Sequence, residues 1–264
     1  MFQQLPSFLK ETNYKNPSEL LNSSWQHALQ TKLSFFDWLG GNSEALDMFT
    51  NHMAAYTSQR GTWEDVYPIG DRLFQHGEDV EKIKDTILVD LGGGSGHDLK
   101  RFASHFLCSV HRPCLVLQEL PEVAEQAESH GDLPATIQIV PIDLTKESPV
   151  VGSRAYFMHS VLHDWPDVEV RRILEQMHSA LSQKTPDGRT PKLLLNENVL
   201  LKQGVQPQPA ALDLIMMAAF SSHERTEDQW KALLESAGYR ITAIFSKAGI
   251  DEAVIEAEAV EQFQ

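Results

Sequence analysis

Residues 89–99, "VDLGGGSGHDL", decide how this chain is read. An apolar run, "TILVDL" at 86–91, meets a cluster of glycines and then turns amphipathic. Gly92, Gly94 and Gly96 stand in a G-x-G-x-G spacing, with Gly93 between the first two, rather than the G-x-G-x-x-G of dinucleotide folds. Glycines suit a place where the backbone turns sharply and passes close under a ligand. Asp90 precedes the loop, within reach of a cationic ligand group. Many strand–helix turns carry glycines, so this stretch fixes a junction and leaves the ligand to its context.

Working outward, the chain from about residue 85 alternates short apolar runs with amphipathic stretches. The runs at 86–91, 114–119, 136–140, 155–160 and 192–199 read as buried strands, and "YRITAIFS" and "AVIEAEAV" as two closing strands. "HDLKRFASHF", "PEVAEQAESH" and "DVEVRRILEQMHSAL" between them read as helices, as do "PAALDLIMMAAFSS" and "TEDQWKALLESAG" before the closing pair. Strand–helix alternation of this kind predicts an α/β fold, a mostly parallel seven-stranded sheet with helices on both faces. Residues 1–75 show no strand alternation and read as a helical segment preceding a domain at 76–264. Within it, Leu46, Phe49, Met53 and Tyr56 recur at helical spacing, so most of its aromatics are expected to pack and a few to line a pocket.

Composition narrows the function. The 264 residues include 37 Asp plus Glu against 22 Lys plus Arg, a net charge of −15. Neutralising phosphates takes clustered Lys and Arg, so a nucleic-acid partner is excluded, and an anionic membrane surface is disfavoured for the same reason. The longest apolar stretches fall far short of a bilayer. The N-terminus lacks the basic start and apolar run of a secretion signal, so a cytoplasmic location is expected. Two cysteines, Cys108 and Cys114, are too few for a disulfide framework or a zinc site, and no metal is expected.

In open α/β sheets, ligands sit beyond the carboxyl ends of the strands near the switch point of the topology. Three strand ends in a row deliver an acid there: Asp90, then Glu119 in "LVLQELPEV", then Asp143 in "VPIDLTKE". A carboxylate at the second suits the hydroxyls of a ribose, and one at the third suits an adenine amino group. After the fourth strand comes "SVLHDWPD", which sets His163 beside Asp164 and Trp165 at the strand mouth. Read alone, His163 is a surface histidine and each acid a solvated strand end.

Six stretches in order, "DLGGGSG", "QELPEV", "PIDLT", "LHDWPD", "LNENVL" and "HERTEDQW", resemble the motifs of the class I S-adenosylmethionine-dependent O-methyltransferases of the plant and fungal caffeate O-methyltransferase type. The resemblance covers roughly residues 20–260. It implies a Rossmann-like methyltransferase fold with S-adenosylmethionine held by Asp90, Gly92, Gly93, Gly94, Glu119, Leu120, Asp143, Leu144 and His159. It implies that His163 is the general base that takes the proton of a substrate hydroxyl, flanked and oriented by Glu197 and Glu224. An imidazole near its ordinary value is largely a free base at neutral pH, and a positioned base contributes about 10²–10⁴-fold. Asp164 is read as capping the next helix or anchoring the turn. It joins Met53, Tyr56, Asp213, Met216 and Met217 around the expected substrate pocket, where methionines suit a flat aromatic or polyketide-like molecule.

The chain departs from the resemblance twice. By the resemblance, family members usually carry an N-terminal winged-helix domain that dimerises and closes the substrate pocket, and this chain is expected to lack most of it. Both a homodimer and a heterodimer therefore stay open. His159 stands where relatives place Arg or Lys near the adenine. Two further readings survive: a relative that binds the cofactor but catalyses pericyclisation or dehydration, and a non-catalytic partner subunit. The set His163, Glu197 and Glu224 favours transfer, because a pericyclase has no need of a hydroxyl base.

Overall fold

The computed structural model describes residues 1–58 and 61–260, with the backbone alone for 54–58. Helices α1 (Leu5–Glu11), α2 (Ser24–Leu29), α3 (Phe35–Gly40), α4 (Ser43–Ser58), α5 (Trp63–Val66) and α6 (Ile69–Arg72) form the N-terminal segment. Local chemistry starts them where the sequence offers caps. Ser23 accepts the N–H groups of Trp25 and Gln26 at the head of α2, and Gln26 reaches back to the Ser23 N–H. This reciprocal arrangement satisfies donors the first turn would otherwise leave open.

Strands and helices then alternate: β1 (Thr86–Leu91), α7 (His97–Phe106), β2 (Leu115–Glu119), α8 (Pro121–His130), β3 (Ile137–Pro141), β4 (Ser153–His159), α9 (Asp167–Ser182) and β5 (Lys192–Leu200). The chain continues with α10 (Pro207–Phe220), β6 (Arg225–Thr226), α11 (Glu227–Ser236), β7 (Tyr239–Phe245) and β8 (Glu252–Ala259). The sheet runs β3-β2-β1-β4-β5-β8-β7. Its first five strands are parallel, with Leu88 of β1 opposite both Leu115 of β2 and Ala155 of β4. Strand β8 runs antiparallel to both β5 and β7. The expected seven strands all form. The eighth, β6, has two residues beside the end of β5, too few for any periodicity to betray.

One face of the sheet packs on α7, with Leu99 and Phe102, and on α5 and α6, with Trp63, Tyr67 and Ile69. The other packs on α9 and α11 through Val170, Ile173, Leu174, Trp230 and Leu234. Trp63, Tyr67, Ile69 and Leu73 are thus core residues of the sheet although they precede residue 75. Tyr67 and Arg72 reach Glu256 of β8, tying α5 and α6 to the sheet by a buried carboxylate. Among the described residues no helix is long and apolar enough to cross a membrane. The chain leaves β1 for β2 on one side and returns to β4 on the other, so the switch point opens at the carboxyl ends of β1 and β4.

Candidate functional site

The loop between β1 and α7 is built around Asp90. Its side chain is fully buried and both carboxylate oxygens lack a hydrogen-bond partner. Burial and the nearby carboxylates of Asp98 and Glu119 push its carboxyl well above the ordinary range, against the pull of His159. A Cβ on Gly93 would stand 2.2 Å from Asp90 Oδ2, closer than any contact allows, so only glycine fits. Gly92 has φ +76° and would drive a Cβ to 2.8 Å from Val161, so both conformation and space demand glycine there too.

Glu119 ends β2 beside this loop. One oxygen accepts the Gly94 N–H at 2.9 Å and the other the Leu120 N–H at 2.8 Å. Burial raises its carboxyl, while these two bonds act the other way. Each oxygen keeps a second lone pair, so the carboxylate can both brace the loop and accept from a ligand hydroxyl. Asp143, past the end of β3, is committed more heavily. It accepts from the Thr145 N–H at 3.0 Å and hydroxyl at 2.5 Å, and pairs with Lys146 at 2.7 Å. Burial opposes its charge, but Lys146 and Thr145 hold the carboxyl below its usual value. Leu144 follows, half-buried against the α9 face of the core.

His159 ends β4, which lies across β1 from the strands that bear Glu119 and Asp143. Its strand is thus separated from β2 and β3 by β1. Its Nδ1 pairs with Asp98 Oδ2 at 2.7 Å and its Nε2 with Glu252 Oε2 at 3.1 Å. Burial works against the charge, yet Asp98 and Glu252 raise the imidazole well above its usual value and hold it as an imidazolium. His97 Nε2 approaches the same Asp98 oxygen at 3.3 Å. A cation already paired on both nitrogens acts as a brace between α7, β4 and β8.

The second cluster forms on the opposite face. After β4 the chain makes a 3₁₀ turn, Leu162–Asp164, that places His163 at 5% exposure. His163 Nδ1 pairs with Glu224 Oε1 at 2.8 Å. Glu197 does not make the matching bond, for its nearer oxygen is 3.8 Å from Nδ1. It caps the turn instead, accepting the N–H groups of Val161 at 3.2 Å and Leu162 at 2.9 Å. The expected pair of flanking carboxylates thus divides its labour between ring and backbone. Asp164 Oδ1 lies 3.6 Å from Nε2, beyond hydrogen-bonding reach.

Electrostatics changes the expected state of the ring. Burial disfavours the imidazolium, but Glu197, Asp164 and Glu224 together push its pKa up to about 10. Burial lifts Glu197 to about 7 and Asp164 to about 6, partly offset by His163. At neutral pH His163 is therefore mainly protonated, contrary to the expectation from a free imidazole. Asp164 does not cap α9, which opens with Pro166 as its N-cap and no side-chain capping bond.

Around this cluster the pocket residues sort unevenly. Asp213 accepts the Glu224 N–H at 2.9 Å, so it braces the cluster. Met216 is buried with Phe220, against which Phe35 and Phe36 pack, while Met217 is half-buried on α10. Trp165 stacks on Phe36 with centroids 5.8 Å apart. Met53 is half-buried on α4, and the Tyr56 side chain lies outside the described residues. Three participants were assigned no role from the sequence: Asp98 and Arg225, although both stand inside quoted stretches, and Glu252. They stand next to motif residues or far from them in sequence, and only the folded sheet brings them together.

Residues 53–240 match the family model of the O-methyltransferase domain. The chain is 36% identical over 262 residues to the O-methyltransferase mpaG of Penicillium brevicompactum, across 97% of this chain and 63% of that protein. It is 34% identical over 260 residues to the O-methyltransferase asqD of Emericella nidulans, across 98% of this chain and 64% of that one. The chain therefore spans less than two thirds of the length of these relatives. Among solved structures, OxaC in complex with SAH and oxaline superposes with a TM-score of 0.83 at 26% identity, covering 97% of this chain and 62% of that one. The LepI complex with SAM superposes at 0.82 with 25% identity, covering 98% and 63%. The same score, identity and coverage hold for a structure described as a pericyclic reaction enzyme.

Proposed function

The chain belongs to the O-methyltransferase domain family, and from that premise we propose that it methylates a hydroxyl of a small aromatic or polyketide-like molecule, using S-adenosylmethionine. One observation carries the reading. A buried histidine, paired through Nδ1 with a buried glutamate at 2.8 Å, stands just past the end of β4 in a turn whose Val161 packs against Gly92 of the glycine loop.

The residues present fit the cofactor. Asp90 offers two buried, unpartnered oxygens, Gly93 leaves room that a Cβ would fill, and Glu119 keeps free lone pairs at the end of β2. When bound, S-adenosylmethionine supplies an electrophilic methyl group on a sulfonium, a good leaving group. Asp90, Gly92, Gly93, Gly94, Glu119 and Leu120 would hold it, with Asp143 and Leu144 at the β3 end. In-line placement of donor and acceptor then dominates the rate.

His163 supplies the acid–base part. A base raised to about 10 matches the proton affinity of a phenol far better than a free imidazole does. Proton transfer from the hydroxyl to Nε2 then produces an oxyanion facing an imidazolium. The cost is that the neutral ring is the minor form at pH 7. Glu224 compensates the ring's charge through Nδ1, and Glu197 holds the turn in place. His163→Gln tests the role: methyl transfer to a naphthol falls by roughly two to four powers of ten, while S-adenosylhomocysteine affinity stays near wild type. A variant that transfers at the wild-type rate would remove His163 from the chemistry.

A second reading has its own observations, a structural neighbour that is a pericyclic reaction enzyme and a His163 that rests protonated. An imidazolium can donate a proton to a leaving hydroxyl in a dehydration. Conversion of a substrate at full rate with the cofactor unconsumed would establish that reading instead. The remaining parts of the proposal are a reducing compartment such as the cytoplasm, supported by the two free cysteines, and pairing with a copy or a longer homologue. Exposed Leu21, Leu29, Leu33, Leu214 and Ile215 support the pairing. Sedimentation velocity that finds an ideal monomer at all concentrations refutes it.

A further inference from the structure

The turn that carries His163 is gripped from both sides. Glu197 takes its N–H groups, as described above. Its carbonyls point the other way, and Arg225 takes them: Nη1 donates to Leu162 O at 3.2 Å and Nη2 to Trp165 O at 2.8 Å. The same guanidinium reaches Asp167 Oδ1 through Nε at 2.9 Å and Nη2 at 2.7 Å. Ser222 Oγ adds a second donor to Trp165 O at 2.7 Å. Arg225 is fully buried, and its guanidinium carbon lies 5.0 Å over the Trp230 ring.

A buried guanidinium is costly unless its donors are matched, and here the matching partners span the whole turn. Lysine lacks the planar fork that serves two carbonyls and a carboxylate together. Arg225 opens β6 and follows Glu224 directly, so adjacent residues deliver the ring's partner and the turn's clamp. A shift of either moves His163 relative to the other.

We propose that Arg225 is a positioning residue, which fixes the Val161–Trp165 turn against Glu224 and so aims His163 Nε2 into the cleft. The inference rests on the proposed role of His163, and its test separates the two. Arg225→Lys, Ser222→Ala, His163→Gln and the double variant His163→Gln/Arg225→Lys are made in the full chain. Methyl transfer from S-adenosylmethionine to 1-naphthol and S-adenosylhomocysteine affinity are measured for each. Histidine-ring NMR titrations follow His163 directly, so positioning is read even where turnover is slow.

Positioning predicts that Arg225→Lys lowers kcat by about tenfold or more, leaves S-adenosylhomocysteine affinity within about twofold, and costs nothing further once His163 is replaced. It also predicts a displaced His163 titration in Arg225→Lys and, to a smaller degree, in Ser222→Ala. The same factor of loss in both backgrounds, or unaltered His163 titrations in the folded variants, overturns the inference. Should Arg225→Lys fail to fold, the Ser222→Ala titration decides in the same way. Wild-type turnover in His163→Gln alone would instead overturn the role of His163, leaving the ring titration to judge the clamp.

Discussion

Replacing Glu224 by Gln isolates what the carboxylate does for His163. The bond it makes to Nδ1 is 2.8 Å long, and the Glu224 side chain is wholly shielded from solvent. An amide in its place still accepts from Nδ1–H, so the tautomer survives and only the charge is lost. A hydrogen bond to a charged partner contributes about 1.5–3 kcal/mol, and one pKa unit corresponds to about 1.4 kcal/mol. The His163 pKa should therefore fall by about one to two units from its value of about 10. The sign follows from removing an anion, which disfavours the imidazolium. At pH 7 the neutral ring becomes about ten to a hundred times more populated, while its affinity for a phenol proton declines. The pH profile of transfer should shift to lower pH with a lower plateau. A histidine-ring NMR titration from pH 5 to 11 measures the shift. A His163 pKa unchanged or raised in Glu224→Gln would refute the assignment of the bond as an ion pair.

Two further substitutions reach other parts of the structure. Glu119→Ala removes the acceptor for Gly94 and Leu120 and the proposed partner of the ribose, costing about 1–3 kcal/mol in S-adenosylhomocysteine binding by calorimetry; unchanged affinity would place the ribose elsewhere. Glu256→Gln breaks a buried network to Tyr67, Arg72, Lys192 and Thr242 and should destabilise by about 3–5 kcal/mol at pH 7 in urea unfolding. Burial opposes the Glu256 charge, but those partners hold its pKa at about 2. Its contribution is thus full above the ordinary value of 4.5 and lost as pH falls through about 2, so the gap between wild type and variant should narrow in acid.

The strands from β1 to β5 were legible because buried parallel strands read as apolar runs broken by glycine and helical periodicity. Alternation does not set their order, β3-β2-β1-β4-β5, which only the folded sheet shows. The acids at the strand ends were legible by position, but their duties were not. Glu197 was expected at the ring, yet it caps the backbone, because a strand-end carboxylate meets whatever N–H groups the next turn presents. His159 was expected near the adenine; β1 separates its strand from β2 and β3, and its ring is paired with Asp98 and Glu252. The duties of Asp98, Glu252 and Arg225 were not legible, since ion pairs between residues 58, 61 or 93 positions apart leave no periodic trace in one chain. The raised pKa of His163 was likewise invisible, for it depends on three carboxylates assembling around one buried ring.

The proposed function requires that the ends of β1, β2 and β4 hold the methyl donor against His163. A crystal structure of the chain with S-adenosylhomocysteine tests it directly. The account predicts ribose hydroxyls within hydrogen-bonding distance of Glu119, the amino-acid end against the Gly92–Gly94 loop, and the sulfur facing the side where His163 Nε2 opens. A ligand seated away from Glu119, or one whose sulfur faces the Asp98–His159 pair on the opposite face of the sheet, would contradict it.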